Sequence, residues 1–344
     1  MEVRRIRMDL RIAALFTSLI LPVSVALAQS PRPMQRAADE YETLLMGRSY
    51  GDLEKASLDA HSSLSVIGDG QPRLAAIYTG TAGCVCGGQQ TEQRWNLRGE
   101  RLREWSENYP KSVTAKVALA TYPLRYAWFV RGGGYANTVS PEAWKQFYKY
   151  LDDALDALSG LEPGAKNDPG WFDAMLELAT SQQWPRHQVE ALYERAQRQH
   201  PDYLPIYFTA AGYYAPRWHG SIADLQRFID RATEATRPKL GETLYTRLMW
   251  SESRSFEKTP IDWQRMKAGF ERIVKDYPDP WNINNYARFA CRNVDWATVL
   301  ALAERIGDKP VAMAWNGDIR QYYSCTQTAR NMKAQTTEGV PRQR

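Results

Sequence analysis

An all-α fold, a degenerate tetratricopeptide-like solenoid of helical hairpins, follows from three observations. The stretch from Asp168 to Ser221 contains three consecutive apolar stripes at helical spacing. Pro169 and Pro201 are 32 residues apart, and so are Pro278 and Pro310. No convincing run of alternating apolar and polar residues, the mark of a half-buried strand, appears anywhere in the chain.

The first stripe is Trp171, Met175 and Leu178, widened by Phe172, Leu176 and Ala179, on a helix that starts after Pro169. Val189, Leu192, Tyr193 and Ala196 form the second, with Pro185 placed in its first turn, where no internal donor is needed. It ends at His200-Pro201, because the residue before a proline disfavours the helical region. Tyr207, Ala210, Ala211 and Tyr214 form the third, which Pro216 stops. Between Pro278 and Pro310 lies another pair, Trp281 to Cys291 and Val294 to Ile306, with Asp295 as N-cap and Gly307 past the end. Two helices and a proline-marked turn, recurring near the roughly 34-residue tetratricopeptide period, predict stacked hairpins. The register is degenerate, since Pro110 to Pro169 spans 59 residues and Pro201 to Pro278 spans 77.

From the N-terminus, Arg4, Arg5, Arg7 and Arg11 precede an apolar run from Ile12 to Val25 and the small-x-small string Ala26-Leu27-Ala28. That pattern predicts a cleavable export signal over residues 1–28, its apolar run too short to span a bilayer. A Pro-, Arg- and Gln-rich lead over 29–40 is expected to be mobile, followed by a single solenoid domain over 41–335 and a polar tail over 336–344. Leu44 and Leu45, then Leu53, Leu58 and Leu64, suggest the first two helices, and Asp69-Gly70 marks a turn. Helices from Glu92 to Glu107 and from Val113 to Val130 follow; Arg131-Gly132-Gly133-Gly134-Tyr135 interrupts them before Ser140-Pro141 starts the next. Ser221 and Asp224 make a capping box with Asp in place of Glu, and Asp262 caps a later helix.

The 344 residues carry a net charge of +5, with Lys and Arg scattered among acids, so a nucleic-acid partner is not supported. Four cysteines in an exported chain predict disulfides. Of the three pairings, Cys291–Cys325 and Cys84–Cys86 are favoured. Cys325 lies 34 residues, one repeat, beyond Cys291, and glycines surround Cys84 and Cys86. Metal ligation at Cys84 and Cys86 lacks a histidine near in sequence, so no metal and no cofactor is expected.

Two loops stand out as candidate ligand-binding segments. Arg131 and Tyr135 flank a glycine run that lacks the Gly-Lys-Ser/Thr ending of a phosphate loop and follows a helix rather than a strand. The plain alternative there is a glycine helix stop and hinge. Arg217 and Trp218 lie in Pro216-Arg217-Trp218-His219-Gly220-Ser221, where the plain alternative is a packed turn. The 12 Trp and 19 Tyr are mostly core residues in such a stack, with the alternative that several line a groove. No nucleophile elbow or zinc-protease motif is present. Trp250-Ser251-Glu252-Ser253 is similar to the Glu-Ser of lytic transglycosylases, with nothing downstream in support.

The strings YAWFVRGGGYANTVSPEAWKQF, DPGWFDAMLELA and HPDYLPIYFTAAGYYAPRWHGS, with the later NYARFAC and DW, resemble a bacterial family filed as domain of unknown function 4034. The resemblance covers roughly Tyr41 to Trp315 and implies a tetratricopeptide-like fold with no assigned activity. His219 stands where that family more usually has glycine. The expected function is an exported, non-enzymatic binding or scaffold protein for a protein or peptide partner, with no membrane span after signal cleavage. The alternative is a cell-wall glycan-binding or α-helical glycan-hydrolysing protein.

Overall fold

The structure is a computed structural model and describes residues 32–83, 90–218, 220–253 and 261–338. The predicted signal, Cys84, Cys86 and His219 lie outside the described residues.

Helices α1 (Pro33–Met46), α2 (Tyr50–Ser63), α3 (Arg73–Ala82) and α4 (Glu92–Asn108) open the chain. Three hairpins follow: α5 (Val113–Arg131) with α6 (Pro141–Ser159), α7 (Pro169–Ser181) with α8 (Arg186–Gln199), and α9 (Pro205–Tyr214) with α10 (Ile222–Leu240). Then come α11 (Thr243–Ser251) with α12 (Trp263–Asp276), α13 (Pro280–Arg292) with α14 (Trp296–Ile306), and a last helix, α15 (Arg320–Glu338). Each helix packs on the next in sequence, and α3, α5, α7, α9 and α11 also pack in succession as one layer. Among the described residues no strand forms; a lone bridge joins Val66 to Pro72. This is an all-α helical-repeat solenoid, as the periodicity predicts.

The uneven proline intervals now have a physical reason. Pro201 to Pro278 encloses two hairpins, α9–α10 and α11–α12, whereas Pro110 to Pro169 encloses one hairpin with long helices and the glycine loop. The repeat survives as a conformation. Tyr109, His200 and Tyr277 each precede a proline and end α4, α8 and α12 with φ/ψ of −128°/68°, −133°/59° and −135°/78°. Each donates its N–H to the carbonyl four residues back, and the proline then bars a further helical turn.

Several expectations need correction. The chain is helical from Pro33, not mobile to residue 40, because proline suits the first helical position and Ala38, Tyr41 and Leu45 bury one face. Leu58 and Leu64 are not core residues; both are 67% exposed. The positions that bury on α2 are Tyr50, Leu53, Ser57 and Ala60, spaced i, i+3, i+7, i+10, and Leu58 falls off that face. Pro185 is the N-cap of α8, one position before its first turn. Val294 takes φ 60°, so α14 begins after Asp295, whose carboxylate accepts from Thr298 N at 3.1 Å. The capping box of α10 forms with both of its bonds.

Cys291 and Cys325 are joined, with Cα atoms 6.1 Å apart, tying α13 to α15. Closing a 34-residue loop restricts the unfolded chain by about 3–4 kcal/mol.

Two contacts lock the N-terminal helices to the stack. Asp168, the N-cap of α7, is buried and accepts at Oδ1 from Gly170 N at 2.7 Å and from Tyr78 Oη at 2.8 Å. Its Oδ2 lies 3.3 Å from His61 Nε2. Burial pushes the Asp168 carboxyl above its ordinary pKa, and burial with this neighbour pushes the Tyr78 hydroxyl well up. Gly170 must be glycine, because a Cβ there would stand 2.1 Å from Tyr78 Cε2. The second contact joins the link between α2 and α3 to the far hairpins. Arg247 Nη2 and Asn282 Nδ2 donate to the Asp69 carbonyl at 2.7 and 3.2 Å, across separations of 178 and 213 residues.

Replacing Asp168 by Ala removes the α7 cap and leaves the buried Tyr78 hydroxyl without an acceptor, an expected loss of roughly 2–4 kcal/mol in urea unfolding. Leu58→Ser, on an exposed side chain, is expected to change stability by no more than about 0.5 kcal/mol. Similar losses in both variants would contradict this account of the packing.

Candidate functional site

The layer of odd-numbered helices forms a cleft of about 650 Å³ at the level of the glycine loop. Helix α5 presents Arg125, Trp128 and Arg131 at successive i, i+3 positions, so all three share one face. Helix α7 adds Glu177, Thr180 and Ser181, and α9 adds Phe208 and Thr209. Arg217 and Trp218 close one side from the turn after α9.

That turn is built tightly. Trp218 N donates to the Ala215 carbonyl at 2.9 Å, and Gly220 N donates to the same carbonyl at 3.4 Å. A Cβ on Gly220 would stand 1.9 Å from the Tyr214 carbonyl oxygen, so no larger residue fits there. The turn therefore aims Trp218 at Trp128. Their ring centroids are 5.7 Å apart at 87°, an edge-to-face pair. Trp218 remains 38% exposed.

The charged groups are mostly committed to partners. Arg217 forms a two-pronged ion pair with Glu252, at 2.9 and 3.0 Å, and Glu252 is buried. Arg125 donates to Glu177 across the floor. Arg131 lies over the rings of Trp128 and Trp144, at 5.2 and 4.9 Å from their centroids, and donates to the carbonyls of Gly132 and Gly134. It therefore pins the glycine loop and fills a position beside the cleft with positive charge. Gly132, at φ 77°, ends α5 in a backbone region that favours glycine. Next to the floor, Thr209 Oγ1 donates to Asp173 Oδ1 at 2.6 Å. Burial pushes the Asp173 carboxyl up to about 6, with Glu177 adding to the rise, while Thr209 and Arg125 oppose it.

Of the four residues singled out from the sequence, three converge here: Arg131, Arg217 and Trp218. Tyr135 does not join them. It is 86% exposed in the turn ahead of α6 and lines no part of the cleft. The helical period places Trp128 on α5 and implies core, yet the side chain is only partly buried and forms a wall. Glu252, noted in the sequence only for a Glu-Ser string, is the partner of Arg217. The signal that links them is their separation of 35 residues, one repeat, like the 34 that join Cys291 to Cys325. Among the described residues no group of three or more His, Cys, Asp or Glu is placed to hold a metal ion.

Comparison of the chain with protein-family models, with curated proteins and with solved structures gives no match in any of the three. The helical-repeat class rests on the packing of successive helices and the cleft on its own residues.

Asp173 sets a pH test. Its folded-state pKa is above the ordinary 3.8, so its contribution to stability is full below about pH 3.8 and is lost as pH rises through about 6. Between those limits the wild type is expected to lose about 1–2 kcal/mol from this group, less than the full shift gives because the side chain is only half-buried. Asp173→Asn should remove that part of the slope in chemical unfolding measured from pH 4 to pH 7. An unchanged slope would contradict the assignment.

Proposed function

We propose that the chain is an exported binding protein that holds a segment of a protein or peptide partner in the cleft between α5, α7 and α9. One observation carries the reading. An open cleft has two tryptophans edge to face at its mouth, Arg131 and Arg217 beside them, and hydroxyls of Thr180, Ser181 and Thr209 along its walls. Aromatic and arginine side chains dominate binding energy at interfaces, while the three hydroxyls donate to Leu176, Glu177 and Asp173 and keep their oxygens as acceptors. The inner layer of a helical-repeat stack is the surface such proteins offer to extended partners. Export is supported by the basic, apolar and small-residue order of residues 1–28 and by the Cys291–Cys325 disulfide. No helix of the described residues is long and apolar enough to cross a membrane.

A glycan ligand, bound or cleaved, is the second reading, and Asp173 is the observation that favours it. A carboxyl with a pKa near 6 is suited to act as a general acid. Against cleavage, the carboxylates of Glu177 and Glu252 are each held by an arginine, and Asp173 lies behind the cleft lining rather than on it.

Selection of the folded chain against a displayed peptide library, followed by calorimetry on the enriched peptide, tests the proposal. Trp218→Ala is expected to weaken that peptide at least tenfold, about 1.4 kcal/mol, and Tyr135→Ala to leave it unchanged. Absence of an enriched sequence, or equal affinity in Trp218→Ala, would refute the peptide reading. Trp218-dependent binding of peptidoglycan fragments in its place would establish the second.

A further inference from the structure

A second cavity, of about 500 Å³, lies beneath the link that runs from α2 to α3. The link, the turns after α8 and α10, and the end of α12 enclose it. Its size is that of a small-molecule site. The walls are largely apolar, with Leu74, Leu204, Leu240 and Ile273 among them.

The charges around this cavity are distributed unequally. Lys239 is paired with Asp202 and Arg272 with Asp276, and His61 Nε2 lies 3.3 Å from Asp168. Arg247 is different. It is only 5% exposed, lines the cavity, and has a neutral partner, the Asp69 carbonyl, at 2.7 Å. No described carboxylate lies within ion-pair distance of it. Asp69, the acid whose charge it feels, turns Oδ1 to the N–H of Gln71 at 3.0 Å. A buried guanidinium has five donors in a planar fork and is costly to desolvate without an anion. An anion entering the cavity adds charge-assisted hydrogen bonds at low dielectric, where they are strongest.

We propose that this cavity binds a small amphipathic carboxylate, its carboxylate against Arg247 and its apolar body against Leu74, Leu240 and Ile273. The site is separate from the tryptophan cleft and does not depend on a peptide binding there. It is also assembled from distant parts of the chain. Asp69 and Gly70 meet Arg247 where the α2–α3 link packs on α11 and the turn before α13. A ligand there therefore stabilises the packing of the link on α11.

Calorimetric titration of the full chain with matched pairs of probes tests the proposal. Decanoate is compared with decanol, and acetyl-trileucine with its C-terminal amide; the tighter acid separates an acyl from a peptide carboxylate. At least one acid is expected to bind tenfold or more tightly than its neutral partner, and Arg247→Met should abolish that preference while the circular dichroism stays helical. Leu240→Phe, which narrows the cavity and keeps Arg247, should weaken the preferred acid at least fivefold, and it carries the test if Arg247→Met does not fold. The proposal is overturned if neither acid is preferred to its neutral partner, if folded Arg247→Met keeps the preference, or if Leu240→Phe binds as the wild type does.

Discussion

The carboxylate of Asp168 is the constraint on which much of the arrangement depends. One side chain caps α7, accepts the Tyr78 hydroxyl from α3 and faces His61 from α2. A buried carboxylate is costly unless its oxygens are paired, so three elements must meet at one place for the fold to tolerate it. Gly170 adds a steric condition, because Tyr78 lies directly on it. Solenoids stack neighbour on neighbour and need no contact at long range. This chain adds such contacts at Asp168 and again at the Asp69 carbonyl, where Arg247 and Asn282 meet it. The two together turn a row of hairpins into a structure whose N-terminal helices touch its later ones.

That closure also places the cavities. The Arg247 cavity carries His61, Pro169 and His200 on its lining, so the Asp168 contact stands at its edge. The tryptophan cleft, between α5, α7 and α9, differs in its chemistry. Its arginines are held by carboxylates, carbonyls and rings, whereas Arg247 faces its cavity with no described carboxylate in ion-pair distance. The first is suited to shape and aromatic contact, the second to recognition of charge.

Helix positions were legible in the sequence because prolines and cap residues act locally. Asp262, Ser221 with Asp224, Asp295 and Gly307 all end or start helices where their chemistry places them. Cys291 and Cys325 were legible because a contact between successive repeats recurs at the repeat length. The same separation joins Asp173 to Thr209, Arg217 to Glu252 and Asp230 to Arg265, at 36, 35 and 35 residues. Arg131, Arg217 and Trp218 stood out because glycine- and proline-rich turns interrupt the helical pattern beside them. Contacts of the closure were not legible. Asp69 to Arg247 spans 178 residues, and neither periodicity nor local motif carries information at that range. Trp128 was not legible as a cleft wall for a related reason: helical spacing assigns a face but not what covers it. Leu58 lies on α2 as its spacing implies, but an apolar residue on a helix need not share the buried face.

Native-state hydrogen exchange on the full chain tests the central claim, that the N-terminal helices are locked into the later stack. If Asp168 and Asp69 hold them there, amides of α3 and α7 exchange through one opening, with the same free energy and the same dependence on denaturant. Exchange of α1–α3 through a separate, lower-energy opening, with α7 still protected, would contradict it.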